Sequence, residues 1–375
     1  MKRLALHIGV KKTGTTTLQK FLEVNRRALL EKGFVYLLTP GARWSSKLAG
    51  LAKTHRDPNA VPDDFLQRLA AEVRAEAQQG RSCAIASFEG LVDLGPRDIE
   101  CLFDSLSTLF EEISVHVYLR RQDLAVMSHY STALRGGGTR ATMLPATPDL
   151  KNPALNYEVL LDRWAAAVGE SRIHPRIFQT EDLTNGDLLE DFLCVLGISP
   201  DHLVRPSNVN VALSDEAKLF LRTFNKHVPA RVGDKPNPLR GPVFHLLDKY
   251  DGPRKMSPSR GQAIKFYEPF RASNQQVAKR WFPGRTVLFR EDFAEYPENE
   301  VHGELTAEGA IRIASHLWQS LMRQKVKQEG GDVPSSQRSE NPTDATDAVA
   351  PQSAGRERRA RPAGRRGLGK DQRSG

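Results

Sequence analysis

The residues 7–17, His7-Ile8-Gly9-Val10-Lys11-Lys12-Thr13-Gly14-Thr15-Thr16-Thr17, gather the groups that hold phosphate. Two lysines bring charge, four threonines bring hydroxyls, and two glycines allow a tight turn. Set between a strand and a helix, such a turn bares backbone N–H groups at the positive end of the helix dipole. A Walker A loop reads Gly-x4-Gly-Lys-Ser/Thr. Here Gly9-x4-Gly14 is followed by Thr15, and the lysine stands before the second glycine. That misfit speaks against an ordinary nucleoside-triphosphate hydrolase. The plain alternative is a turn that binds nothing, which has no use for so many threonines beside two lysines.

Lys12-Thr13-Gly14-Thr15-Thr16 resembles the 5′-phosphosulfate loop of sulfotransferases that use 3′-phosphoadenosine 5′-phosphosulfate (PAPS), which follows an N-terminal strand. A second motif of that family is an arginine after a later strand, with a serine eight positions on. Val117-Tyr118-Leu119-Arg120 followed by Ser128 matches it. The resemblance implies that both residues hold the 3′-phosphate of the donor, in the crevice beyond the carboxyl ends of a parallel sheet. Tyr157, Leu161, Arg163-Trp164, Arg176-Ile177-Phe178 and Leu188–Gly197 are similar to later parts of carbohydrate sulfotransferase domains. The likeness covers roughly residues 1–325 and is loose beyond 200.

Sulfuryl transfer is an in-line displacement at sulfur, with the 5′-phosphate of adenosine 3′,5′-bisphosphate leaving. A lysine beside the leaving oxygen helps only as far as its contact strengthens in the transition state. Lys12 matches the family lysine, and Lys11 has no counterpart. A base that takes the acceptor proton contributes ~10²–10⁴-fold. Glu89 is the candidate, since it follows the predicted strand Ser82–Ser87 and the carbohydrate-type enzymes carry a glutamate in this region; a simple capping role is its alternative. His129, next to Ser128, is read as packed or solvated, with a place in the crevice as the alternative, His7 as a core histidine, and Arg121 as either a second phosphate contact or an exposed helix start. Arg254-Lys255 matches a basic loop of the family only approximately, with a solvated pair as the alternative. Trp164, Trp281 and Trp318 fit packing stripes better than a base-stacking role.

These groups need a scaffold. Residues 4–9 read as a buried strand, and from Thr15 a helical face carries Leu18, Phe21, Leu22 and Leu29. Strands are predicted at 34–38, 82–87, 113–119 and 172–178, and helices at 62–79, 99–112, after Asp123, 155–168 and 188–196. That alternation is the pattern of a parallel α/β sheet. The expected fold is therefore a parallel sheet flanked by helices, and the resemblance implies its three-layer, P-loop nucleotide-kinase-like sulfotransferase form. Residues 136–153 and 228–258 read as loops, and these with 39–60 are expected to shape the acceptor site. Helices are expected at 214–227, 259–281 and 306–328, the last with a packing stripe of Ile311, Ala314, Leu317, Trp318 and Leu321.

Of the 375 residues, 39% are hydrophobic and 26% charged, enough apolar material for a core. The 54 Lys and Arg against 45 Asp and Glu leave a net charge of +9, of which +6 falls in residues 356–375. Three cysteines and no Cys-x-x-Cys argue against a disulfide framework or a cysteine zinc site. No paired acidic motif for magnesium is evident, so no metal is expected. No apolar run reaches the ~20 residues that span a bilayer, and the expected location is cytoplasmic. The expected organisation is a sulfotransferase domain over 1–328 and a disordered basic tail over 329–375. That tail lacks aromatics for stacking on bases, so no nucleic-acid partner is expected. Truncation after Gln328 should leave the melting temperature nearly unchanged; a fall of many degrees would show that the tail belongs to the fold. The reading is an enzyme that moves a sulfuryl group from PAPS to a hydroxyl or amine, a glycan or other hydroxyl-bearing acceptor being favoured. A P-loop kinase using ATP and a non-catalytic nucleotide- or polyanion-binding protein are the alternatives.

Overall fold

The structure is a computed structural model and describes residues 1–37, 49–57, 64–206 and 213–328. Five strands make a parallel sheet: β1 (Arg3–Ile8), β2 (Phe34–Tyr36), β3 (Cys83–Phe88), β4 (Glu112–Leu119) and β5 (Ile173–Ile177). Their order across the sheet is β2-β3-β1-β4-β5. Every pairing is parallel, so all carboxyl ends lie along one edge. Ile8 pairs with Phe88, and Leu119 with Ile177. The residues that follow, Gly9, Glu89, Arg120 and Phe178, therefore emerge along that edge together. β1 lies between β3 and β4, and the chain leaves it for β2 on one side before crossing to β4 on the other. That reversal is the place where open parallel sheets bind ligands.

Strand alternation sorts the core onto two faces. Leu4, Leu6 and Ile8 join one cluster, with α3 (Phe65–Gln78), α4 (Pro96–Ser107) and α6 (Tyr157–Val168) over it. Ala5, Ile85 and Tyr118 face the other, covered by α1 (Thr15–Val24), α2 (Arg26–Glu31) and α7 (Leu188–Leu196). This is the three-layer α/β arrangement expected from the sequence. The long first helix of the sequence reading is two helices, because the Asn25 amide bonds Phe21 O at 2.9 Å and Val204 O at 2.8 Å and breaks the run. His7 packs in the core against Tyr118 and Phe192, and burial pushes its pKa down to about 4.

α5 (Gln122–Arg135) follows β4 directly and packs beside α8 (Asp215–His227). Ser214 caps α8 through the Ala217 amide. Residues 228–258 are more regular than expected, with a two-stranded hairpin of β6 (Arg231–Val232) and β7 (Lys235–Pro236) and a helix, α9 (Arg240–Leu247). Arg240 organises them by donating to Val228 O at 2.6 Å and Asn225 Oδ1 at 2.6 Å. Residues 259–281 hold α10 (Arg260–Tyr267) and α11 (Arg271–Trp281), divided by a 3₁₀ turn at Pro269. α12 (Ala307–Gln328) is the last helix. Its packed side is Ile313 and Leu317, whereas Ile311 and Trp318 of the expected stripe are 66% and 65% exposed. Residues 329–375 and much of 39–60 lie outside the described residues.

Arg121 is buried with its charge answered. It donates to Asp123 through two bonds of 2.8 and 2.9 Å, to Arg290 O at 2.9 Å and to Glu295, with Phe293 4.2 Å from its guanidinium. Tyr296 adds a 2.6 Å bond to Asp123. Breaking a buried pair strands one charge. Asp123→Ala should thus cost about 3 kcal/mol in urea unfolding. A loss under about 1 kcal/mol would place the pair among surface-like bridges.

The three cysteines are unpaired. Among the described residues no helix is long and apolar enough to cross a membrane, and no cluster of His, Cys, Asp or Glu could hold a metal ion.

Candidate functional site

Between β1 and α1 the backbone turns left-handed twice, at Lys12 (φ 69°) and Gly14 (φ 79°). A non-glycine residue there is uncommon, and left-handed residues in a turn gather successive N–H groups into an anion-binding concavity. Thr13 is buried and locks the turn by donating to Val10 O at 2.7 Å. Gly14 begins α1 without a side-chain cap, and no acidic residue lies in the first turn. The first N–H groups of that helix, those of Thr15 to Thr17, thus have neither an intrahelical acceptor nor a side-chain one. Gly9 is closely packed, and the left-handed backbone at Gly14 favours glycine. A Cβ on Gly9 would stand 2.6 Å from Thr15 Oγ1, and one on Gly14 2.4 Å from the Leu188 side chain.

The sheet edge brings Glu89 and Arg120 to this turn. Glu89 opens a 3₁₀ turn immediately after β3 and is half-buried beside Thr15, whose Oγ1 steadies the carboxylate yet completes no hydrogen bond of ordinary geometry. Arg120 donates to Lys12 O at 2.6 Å, and Phe178 lies 5.5 Å from its guanidinium. The Tyr157 hydroxyl clamps the Arg120 backbone, donating to its carbonyl and accepting from its N–H at 3.3 Å. Ser128 is half-buried on α5, two turns beyond Arg120. Thr16 is exposed at the start of α1.

Electrostatics set this edge apart. Burial, then Arg135 and Arg120, push the Lys12 ammonium below its ordinary pKa, with Glu89 opposing. Burial raises Glu89, with Lys11, Lys12 and Thr15 opposing. His129 is lowered by burial and by Lys11, Lys12 and Arg140, and its Nδ1 is buried without a partner. Lys11 and Lys12 act on both Glu89 and His129, Arg120 and Arg135 on Lys12, and Arg140 on His129, while Arg135 also pairs with Asp248. Clustered cations concentrate anions.

Thus Lys12, Thr13, Gly14, Thr15 and Thr16 share one turn, and Glu89 and Arg120 adjoin it. His129, read from the sequence as packed or solvated, feels the same lysines. Arg121 turns inward to Asp123, so of the two adjacent arginines Arg120 alone adjoins the turn. Arg254 is exposed and meets Asp251 at 3.2 Å, while the Lys255 amide donates to Asp215. Sequence reasoning missed Tyr157 as a clamp, and Arg135 and Arg140 as neighbours; they lie 15 or more positions from the turn's partner Arg120, and no spacing rule links them to it. A cavity of about 380 Å³ between α6 and α11, lined by Glu158, Asp162 and Arg280 among others, contains none of these residues.

No protein-family model matches the sequence. Over 217 residues the chain is 27% identical to an uncharacterized protein of Archaeoglobus fulgidus, a match that spans 57% of each protein, little more than half the length of that relative. Among solved structures, a sulfotransferase from Alicyclobacillus acidocaldarius aligns over 60% of this chain and 92% of its own, with 14% identity and a TM-score of 0.35.

Proposed function

We propose that this chain is a PAPS-dependent sulfotransferase that moves a sulfuryl group to a hydroxyl or amine, a carbohydrate hydroxyl being the favoured acceptor. The observation that carries the reading is the left-handed Lys12–Gly14 turn, which opens an uncapped helix and is tied to Arg120 through Lys12 O. That turn supports a role for Lys12, Thr13, Gly14, Thr15 and Thr16 in holding the 5′-phosphosulfate, and the Arg120 and Ser128 pair supports a role on a 3′-phosphate. The donor brings the sulfuryl group and an adenosine bisphosphate leaving group. Lys12 stabilises charge growing on the leaving phosphate oxygen. Glu89 takes the proton of the attacking hydroxyl, a task its raised pKa suits. Residues 1–328 are the proposed catalytic domain, of which Met1–Lys325 form one compact unit.

The test is incubation with sulfur-labelled donor and a panel of glycan and lipid acceptors. Transfer of label to a hydroxyl-bearing acceptor is expected. Magnesium-dependent phosphate transfer from ATP would replace the reading with a kinase, and donor binding without turnover would leave a nucleotide-binding protein.

A further inference from the structure

α12 carries two apolar faces, and among the described residues only one is covered. Ile313 is fully buried, Leu317 packs beside it, and His316 Nε2 meets Leu246 O at 3.0 Å. These contacts fix the helix to the body. Ile311, Trp318, Leu321 and Met322 lie at helical spacing on a different face and are exposed, at 66, 65, 41 and 37%. On the final turns Arg323 and Lys325 are exposed as well. Residues 329–375 follow directly in the chain. Their large apolar residues are Val333, Val349 and Leu368; 329–355 carry five Asp and Glu against one Arg, and 356–375 carry eight Arg and Lys against two acids.

We propose that this face docks on an anionic phospholipid bilayer. An interfacial helix buries one apolar stripe just below the headgroups, with tryptophan at the boundary and basic residues beside it. One shallow stripe holds weakly and reversibly, and lasting attachment takes a second signal such as a polybasic segment. The net +6 of residues 356–375 supplies that signal in the same chain. A second copy of this protein fits less well. Four side chains fall far short of the roughly 20–30 residues a side of a stable interface, and both copies would bring the same positive charge. The glutamates of this helix and its neighbour, Glu308 and Glu216, are paired with Arg312 and do not oppose the attraction.

The full chain should sediment with vesicles of phosphatidylcholine mixed with phosphatidylglycerol, and hardly at all with phosphatidylcholine alone. Added salt should release it, since the electrostatic part is screened. Trp318→Ser with Leu321→Ser should weaken the partition at least ~10-fold, because much of the inserted apolar area is gone. Both positions are exposed, so the thermal melt should stay in place. A second full-length variant, with Arg358, Arg359, Arg365 and Arg366 all changed to Gln, should bind weakly and lose most of its salt sensitivity. The proposal is overturned by equal binding to neutral vesicles, or by wild-type partition in either variant. It is equally overturned if sedimentation equilibrium shows a dimer that Trp318→Ser abolishes, which would assign the face to a second copy. None of these readouts depends on the sulfotransferase reading.

Discussion

Replacing Lys12 with alanine should cut sulfuryl transfer by ~10²–10³, the usual loss when one preorganised charge opposite a developing anion is removed. Adenosine 3′,5′-bisphosphate should also bind less tightly, because in the proposed role the same ammonium meets the 5′-phosphate. Lys12 is held for this work. Arg120 grips its carbonyl, its backbone is left-handed, and burial with two neighbouring cations lowers its pKa. The resulting excess of positive charge is relieved when a phosphate arrives. Glu89→Gln should act differently: it keeps the shape but cannot take a proton, so turnover should fall while bisphosphate affinity stays close to wild type. As the proposed base Glu89 would work only as the anion, and burial raises its pKa. Activity should therefore fall as the pH drops through a value above the ordinary carboxylate range, and that limb should vanish in the Gln variant. Wild-type turnover in Glu89→Gln would pass the role to His129, whose lowered pKa keeps it neutral near pH 7. An active Lys12→Ala protein would undercut the whole turn. Single-turnover rates and calorimetry on the bisphosphate separate these cases.

Adenosine 3′,5′-bisphosphate should bind at least ~10²-fold more tightly than adenosine 5′-phosphate. A charge-assisted hydrogen bond contributes ~1.5–3 kcal/mol, and in the proposed site Arg120 and Ser128 would offer two contacts to the 3′-phosphate. Ser128→Ala should give up about tenfold of that preference, since a hydroxyl contact is the weaker of the two. Arg120→Met should erase most of it. Arg120 also anchors the Lys12 carbonyl, so this variant should weaken adenosine 5′-phosphate too, and a doubled effect of that kind distinguishes it from Ser128→Ala. Calorimetry with both nucleotides measures the difference. Equal affinities in the wild-type protein would show that no 3′-phosphate site exists here.

Much of this site was legible because its parts are local. A buried strand, a Lys-Thr-Gly turn and an amphipathic helix follow one another within residues 4–24, and each is set by neighbours in the chain. The alternation of strand and helix likewise implied a parallel sheet, and a parallel sheet puts Gly9, Glu89 and Arg120 at one edge whatever the order of its strands. The spacing to Ser128 singles out Arg120, but local rules could not say whether Arg121 joins it or starts the helix exposed. Both follow β4, and only the packing of Asp123, Glu295 and Phe293 around the second turns it inward and leaves the first beside the turn. Nor could they find Tyr157, which reaches Arg120 across 37 positions. In α12 the period was read correctly and its direction was not. Periodicity reports that apolar residues share a face, but it carries no information on where the neighbouring helices lie. Those neighbours took Ile313 and Leu317, and left Ile311, Trp318, Leu321 and Met322 facing water. Strand, turn and helix followed from the covalent order of side chains, whereas the inward arginine, the tyrosine clamp and the outward stripe depended on contacts between segments far apart in that order.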